Sequence, residues 1–199
     1  KKTSNLRFFF CYVCLNMSEK KVLLNDYEMN VTIERLCQQL IEKHDIFENT
    51  VIIGIQPRGI FLSNRLLTKL NSKLKFSPVK SGCLDISFHR DDLRIRKNPI
   101  IPKSIDIDFN VEEKNVILVD DVVYTGRSVR SALDALMIFG RPNTVELLTL
   151  ISRNYSRHLP IQPDYIGKSV NVLDSEKIIV NWKEENKKDK VLIINSSNE

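Results

Sequence analysis

An α/β fold built on a mostly parallel central sheet flanked by helices is what this sequence predicts, on three observations. Residues 51–55, 116–119 and 145–151 are short, nearly continuous runs of Val, Ile and Leu, the pattern of strands buried on both faces. Between them lie stretches whose apolar residues recur at helical spacing. The chain has 199 residues, 42% of them hydrophobic, enough for one domain that buries roughly 70% of its unfolded surface.

The elements follow in order. Lys1, Lys2 and Arg7 precede an apolar run at residues 8–15 that is too short to span a bilayer and lacks a small-residue cleavage site. Residues 1–16 are therefore read as a leader or disordered extension, and residues 17–199 as the domain. Val31, Ile33, Leu36, Cys37, Leu40 and Ile41 mark one face of a helix over residues 28–44, with Glu34, Arg35, Gln38, Gln39 and Glu42 opposite. Strand 51–55 turns through Gln56-Pro57-Arg58-Gly59 into a helix carrying Ile60, Leu62, Leu66, Leu67 and Leu70. Residues 83–88 alternate as a half-buried strand, and residues 90–110 form a long basic loop of the kind that is either a lid or disordered. Strand 116–119 ends in acid, and from Ser128 a helix with Val129, Leu133, Leu136 and Met137 runs to Phe139, closed by Gly140 and Pro142. After strand 145–151, residues 177–182 and 190–194 read as a closing hairpin around a solvated, charged turn at 183–189.

The chemistry concentrates at Asp120-Asp121-Val122-Val123-Tyr124-Thr125-Gly126-Arg127-Ser128. Two carboxylates at the carboxyl end of a buried strand stand where open α/β sheets place ligands. The Thr-Gly-Arg-Ser turn offers backbone N–H groups, hydroxyls and the positive end of a helix dipole, which suit a phosphate. Acids beside an anion site fit sugar hydroxyls, or a divalent cation travelling with the phosphates. A phosphorylated ribose satisfies both halves. A response-regulator receiver would need no phosphate-gripping turn, and an ATPase would need a Walker A loop. Gly167-Lys168-Ser169 does not supply one, because Gln162 stands where that motif requires Gly. A net charge of +5 suits polyanionic ligands, whether a pyrophosphorylated sugar or RNA. Cys11, Cys14, Cys37 and Cys83 are irregularly spaced and read as free thiols of a reducing cytosol, where sequons at Asn30, Asn154 and Asn195 go unused.

This signature resembles the type I phosphoribosyltransferases: a hydrophobic strand, two acids, a short apolar link and Thr-Gly-[Lys/Arg]-[Ser/Thr]. From about Lys21 onward the chain is similar to their PyrR branch, the pyrimidine attenuation regulators that are also uracil phosphoribosyltransferases. Gly54-Ile55-Gln56-Pro57-Arg58-Gly59-Ile60, Leu84-Asp85-Ile86-Ser87-Phe88-His89-Arg90-Asp91-Asp92-Leu93, Gly140-Arg141-Pro142 and the run from Leu159 to Lys168 carry that likeness.

The resemblance implies a type I phosphoribosyltransferase fold with a small hood, and conversion of uracil and 5-phosphoribosyl 1-pyrophosphate (PRPP) to UMP and pyrophosphate. It assigns Asp120 and Asp121 to the ribose, and Tyr124, Thr125, Gly126, Arg127 and Ser128 to the 5-phosphate. Pro57, Arg58, Gly59 and Arg90 go to the pyrophosphate, with Arg94 and Arg96 adding charge from a flap. Pro57 stands where family members often have Thr, and Pro has no N–H to donate. Tyr165, Ile166 and Gly167 are assigned to the base within the hood, and Arg153 to a flap or base contact. A phenol at Tyr124, where purine-using relatives tend to place an acid, argues for a pyrimidine. Mg²⁺ is expected to be held mainly through substrate, without a dedicated protein cage. The resemblance further implies a cytoplasmic homodimer or homotetramer, with no membrane association. The alternative is an RNA-binding regulator of pyrimidine operon expression with secondary or vestigial transferase activity. Glu34 and Gln38 occupy positions where RNA-binding relatives tend to have Thr and His, and acid facing phosphates is unfavourable. Weak or lost binding of the leader RNA is therefore expected, with transferase activity retained.

Overall fold

A computed structural model describes residues 20–45, 47–74, 78–89, 105–155 and 157–195. Its strands are β1 (Lys21–Leu24), β2 (Thr50–Ile55), β3 (Lys80–Leu84), β4 (Asn115–Val123), β5 (Thr144–Arg153), β6 (Tyr165–Val170), β7 (Glu176–Asn181) and β8 (Lys190–Asn195). Its helices are α1 (Asp26–His44), α2 (Gly59–Lys73), α3 (Arg127–Leu136) and the short α4 (Lys183–Asn186). Five strands form the main sheet in the order β3-β2-β4-β5-β6, and every neighbouring pair in it is parallel.

The apolar runs are buried strands, and the partition of β4 shows why. Ile117 and Val119 pack with α1 and α2, against Leu36, Leu40, Leu62 and Leu66. Val116 and Leu118 point to the other face, where Val129, Ala132 and Leu136 of α3 cover them. Each fully buried Val, Ile or Leu contributes about 1.5–3 kcal/mol to that assembly.

α1 starts earlier than residue 28, because Asn25 and Glu28 form a reciprocal capping box. Its buried series is Met29, Ile33, Leu36, Cys37 and Leu40, so Val31, expected on the apolar face, is instead exposed. The strand expected at 83–88 is also displaced: β3 ends at Leu84. Asp85 accepts a hydrogen bond from the Ser87 N–H at 2.8 Å, and this local turn diverts the backbone into a 3₁₀ segment, Ser87–His89. Met137 leaves the α3 core face because Met137–Phe139 is a 3₁₀ turn, and its side chains are not buried.

The C-terminal hairpin forms as expected, but it belongs to a larger unit. β8 pairs antiparallel with both β7 and β1, giving a three-stranded hood in which β7 packs over β4. The segment at 183–189 is not wholly solvated. Asp189 is buried, and Arg65 of α2 binds it at 2.6 Å and Glu184 at 2.8 Å. The same guanidinium lies 4.9 Å from the centre of the buried Trp182 ring, which ties the hood to the main domain. Cys37 is a buried free thiol, and the Cys83 sulfur accepts a hydrogen bond from the Gln56 amide at 3.3 Å.

Candidate active site

The carboxyl end of β4 carries the acids. Asp120 and Asp121 are both buried, and an Asp120 carboxylate oxygen accepts the Asp121 N–H at 2.9 Å, which fixes the two groups side by side. Burial pushes the Asp121 carboxyl above its ordinary range, opposed mainly by the positive charge of Arg58. That opposition comes from the Arg58 charge acting on the acids across the start of α2. Gly59 explains the close approach: a Cβ there would lie 2.2 Å from the Val119 carbonyl oxygen. Only glycine lets the start of α2 rest against the acidic strand end. Pro57 is joined to Gln56 by a cis peptide bond, and Pro57 and Arg58 are exposed.

Beyond the acids, Gly126 adopts a left-handed φ of 90° as the N-cap of α3, and no side chain caps that helix start. The Thr125 carbonyl accepts the His158 and Leu159 N–H groups at 3.1 and 3.3 Å. The Thr125 hydroxyl oxygen lies 3.4 Å from the Arg127 nitrogen. Tyr124, Thr125, Gly126, Arg127 and Ser128 thus form one turn, clasped from behind by the segment after β5. The arrangement presents helix-dipole charge and N–H donors a few residues from two carboxylates.

The Arg153 guanidinium lies 4.0 Å from the centre of the Tyr124 ring. It donates to the Leu173 carbonyl at 3.0 Å, is only 4% exposed, and its Nε has no partner. A buried donor at the edge of a ligand site is a candidate for substrate contact. Arg157 was not singled out from the sequence. It donates to the Tyr124 carbonyl at 2.9 Å and to the Ser152 hydroxyl at 3.2 Å. The available signal was positional, since Arg153 ends a parallel strand and Arg157 follows its carboxyl end.

The structure corrects the placement of Tyr165, Ile166 and Gly167. They begin β6 at the edge of the main sheet and are not part of the hood. The Tyr165 hydroxyl is bound by Glu146 and His44, and Glu146 also pairs with Lys43 at 2.9 Å. The carbonyls of Ile166 and Gly167 accept from Arg35. Those main-chain acceptors are therefore committed to scaffold, and the Ile166 side chain is the part of the triplet that lines a cavity. Arg90, Arg94 and Arg96 lie outside the described residues, as do residues 1–16.

Among the described residues no group of three or more His, Cys, Asp or Glu could hold a metal ion. No helix among them is long and apolar enough to cross a membrane.

A parallel sheet that sets adjacent carboxylates and an uncapped helix start on one edge defines the phosphoribosyltransferase class, and residues 22–186 match the model of the phosphoribosyl transferase domain. The solved structures agree on the fold. The hypoxanthine phosphoribosyltransferase of Trypanosoma cruzi superposes with a TM-score of 0.66 at 14% identity, over 88% of this chain and 96% of that one. A hypoxanthine-guanine phosphoribosyltransferase of Bacillus anthracis gives 0.63 at 18% identity, over 90% and 99%. Closer in sequence are proteins named Bifunctional protein PyrR from Bacillus cereus (strain AH820) and Bacillus mycoides (strain KBAB4). Each is 39% identical over 180 residues, spanning 89% of this chain and 98% of the relative. The chain belongs to the PyrR family of type I phosphoribosyltransferases.

Proposed function

We propose that the protein transfers the 5-phosphoribosyl group from PRPP to uracil, forming UMP and pyrophosphate. The observation that carries this reading is the juxtaposition of Asp120 and Asp121 with the uncapped turn at Thr125-Gly126-Arg127-Ser128. In the transfer, the bond from ribose C1 to the pyrophosphate oxygen breaks as the bond to the base nitrogen forms, and positive charge develops on the sugar. Asp120 and Asp121 hold the ribose hydroxyls and favour that charge. The turn, with Tyr124 at its head, grips the 5-phosphate. Arg58, beside Asp121 and joined to the acidic strand end through Gly59, neutralises the departing pyrophosphate with Pro57 and Arg90 alongside. Mg²⁺ fits a site with two adjacent carboxylates and no larger cage: Asp120 and Asp121 would help to hold it together with the substrate, and it would supply positive charge against the pyrophosphate. Arg153 and Tyr124 form the wall nearest the base, and the unpartnered Arg153 Nε–H suits a pyrimidine carbonyl oxygen.

The test is UMP formation from PRPP with uracil, cytosine, orotate and purines competing. Uracil should be the base consumed. Absence of PRPP binding in the presence of Mg²⁺ would overturn the reading.

Regulation of pyrimidine operon expression through a leader RNA is the alternative reading, and one observation bears on it. Glu34 on α1 pairs with Lys69 at 3.0 Å and with Lys73, and Gln38 meets Lys73 at 3.4 Å. Two lysines that would otherwise face a polyanion share one carboxylate, which offsets half of their charge and supports weak RNA binding beside retained transferase activity. Cytoplasmic location and assembly as a homodimer or homotetramer belong to the same reading.

A further inference from the structure

One cavity has no part in the transfer just described. It is about 540 Å³ and lies where β5 and β6 meet the segment before β6, with Ser152, Asn154, Arg157, Gln162, Pro163 and Ile166 in its wall. None of residues 57–59 or 120–128 lines it. Leu159 and Ile161 separate the two sites, for a Cβ added to Gly126 would stand 3.5 Å from each.

The cavity's charged group is Arg157. It is half-buried, and two of its N–H donors are held by the Tyr124 carbonyl and the Ser152 hydroxyl. A guanidinium has five such donors, and among the described residues no partner takes the other three. Among the described residues no carboxylate pairs with it, and burial lowers its proton affinity. A desolvated cation without a counter-ion is stabilised by an incoming anion, with Arg favouring the flat, two-point geometry of phosphate or carboxylate. The rest of the wall is mixed. Asn154 and Gln162 offer amides that can pair with a base edge, whereas Pro163 and Ile166 offer flat apolar surface. The volume lies within the range of small-molecule sites.

We infer that this cavity is a second ligand site, separate from the catalytic edge, that takes a mononucleotide with its phosphate on Arg157 and its base against Asn154, Gln162, Pro163 and Ile166. The site is coupled to catalysis, because Arg157 also holds the carbonyl of Tyr124 at the head of the phosphate turn. A ligand that draws the guanidinium away loosens the turn, so occupancy opposes donor binding, and the opposition is reciprocal. Only this coupling rests on the transferase reading.

The test uses the full chain and UMP. With PRPP and Mg²⁺ saturating the catalytic edge, calorimetric titration should show one further UMP bound per chain. Ser169→Trp, which fills the cavity from the exposed side of β6, should abolish that binding and leave the rate without UMP unchanged. Arg157→Gln should weaken it about 10-fold or more, the loss expected for a charged phosphate contact. In rate assays UMP should raise the apparent KM for PRPP beyond what competition at the catalytic edge alone produces, and this excess should be absent from Ser169→Trp. The inference is overturned if the donor-saturated protein takes up no UMP, if both variants bind it as the parent does, or if uridine binds as tightly as UMP. Should PRPP itself fail to bind, the transferase reading falls separately. Titration of the free chain and its two variants with UMP then decides the cavity site by the same criteria.

Discussion

Asp121 shows at the level of one side chain how the proposed function opposes stability. Its carboxyl is raised in the folded protein by burial. A carboxyl raised on folding favours the native state at low pH, and that advantage is lost as pH rises through the folded value, so the charged form costs stability at neutrality. Asp121→Asn should therefore melt higher at pH 7, by up to about 1–2 kcal/mol, while transfer slows roughly 100-fold or more through loss of charge at the sugar. Paired melting and UMP-formation measurements check this; normal turnover by the variant would remove the acid from the mechanism. Glu34 is the opposite case, a surface acid held below its usual range mainly by hydrogen bonds from Lys73 and Lys69. Glu34→Gln should change stability little, by about 1 kcal/mol at most. It should tighten binding of single-stranded RNA and steepen the log–log salt dependence by about 1.5, as two freed lysines meet phosphates. An unchanged slope in fluorescence titrations would show that those lysines do not face the nucleic acid.

Between elements, the decisive contact is that of α2 with β4. Gly59 opens α2 directly against the Val119 carbonyl, so the approach of two backbones delivers Arg58 to the acids. Gly59→Ala should cost about 1–3 kcal/mol through overpacking, and should raise the KM for PRPP as the loop is pushed off the strand end. Urea unfolding and initial rates measure both, and an unaltered KM would argue against a loop that must sit this close. The same scale explains which segments were legible in the sequence. β2, β4 and β5 were, because both faces of each are covered and the apolar run is unbroken. β1 was not, since four residues with only Leu24 buried show no period of their own and become a strand only beside β8.

At the scale of the whole molecule, the hood is held to the main domain by Arg65. Asp189 and Glu184 both sit below their ordinary ranges, with hydrogen bonds from Arg65 the leading cause against burial. Carboxyls lowered on folding stabilise above their unfolded values and lose that contribution as pH falls through the folded ones. The hood should accordingly loosen below about pH 4, the region of unperturbed carboxyls, before the main sheet unfolds. Arg65→Ala should bring the same loosening to neutral pH and lower overall stability by about 2–4 kcal/mol, since a buried Asp189 is left unpaired. Hydrogen exchange over residues 176–195 would reveal it; protection equal to the parent's would place the anchor elsewhere.

The sequence by itself determined the layered α/β class, the buried strands, the acidic edge and the small-residue turn after it. Each of those is written in contiguous residues, as apolar period, small-residue turn or paired charge, and needs no distant partner to be read. Tertiary structure alone decided that Tyr165, Ile166 and Gly167 brace the sheet edge, that Arg153 stacks on Tyr124, that Arg157 borders a second cavity, and that Asp189 is buried. In each case the partner lies on another element, and a side chain's role follows from what folding sets beside it, not from its neighbours along the chain.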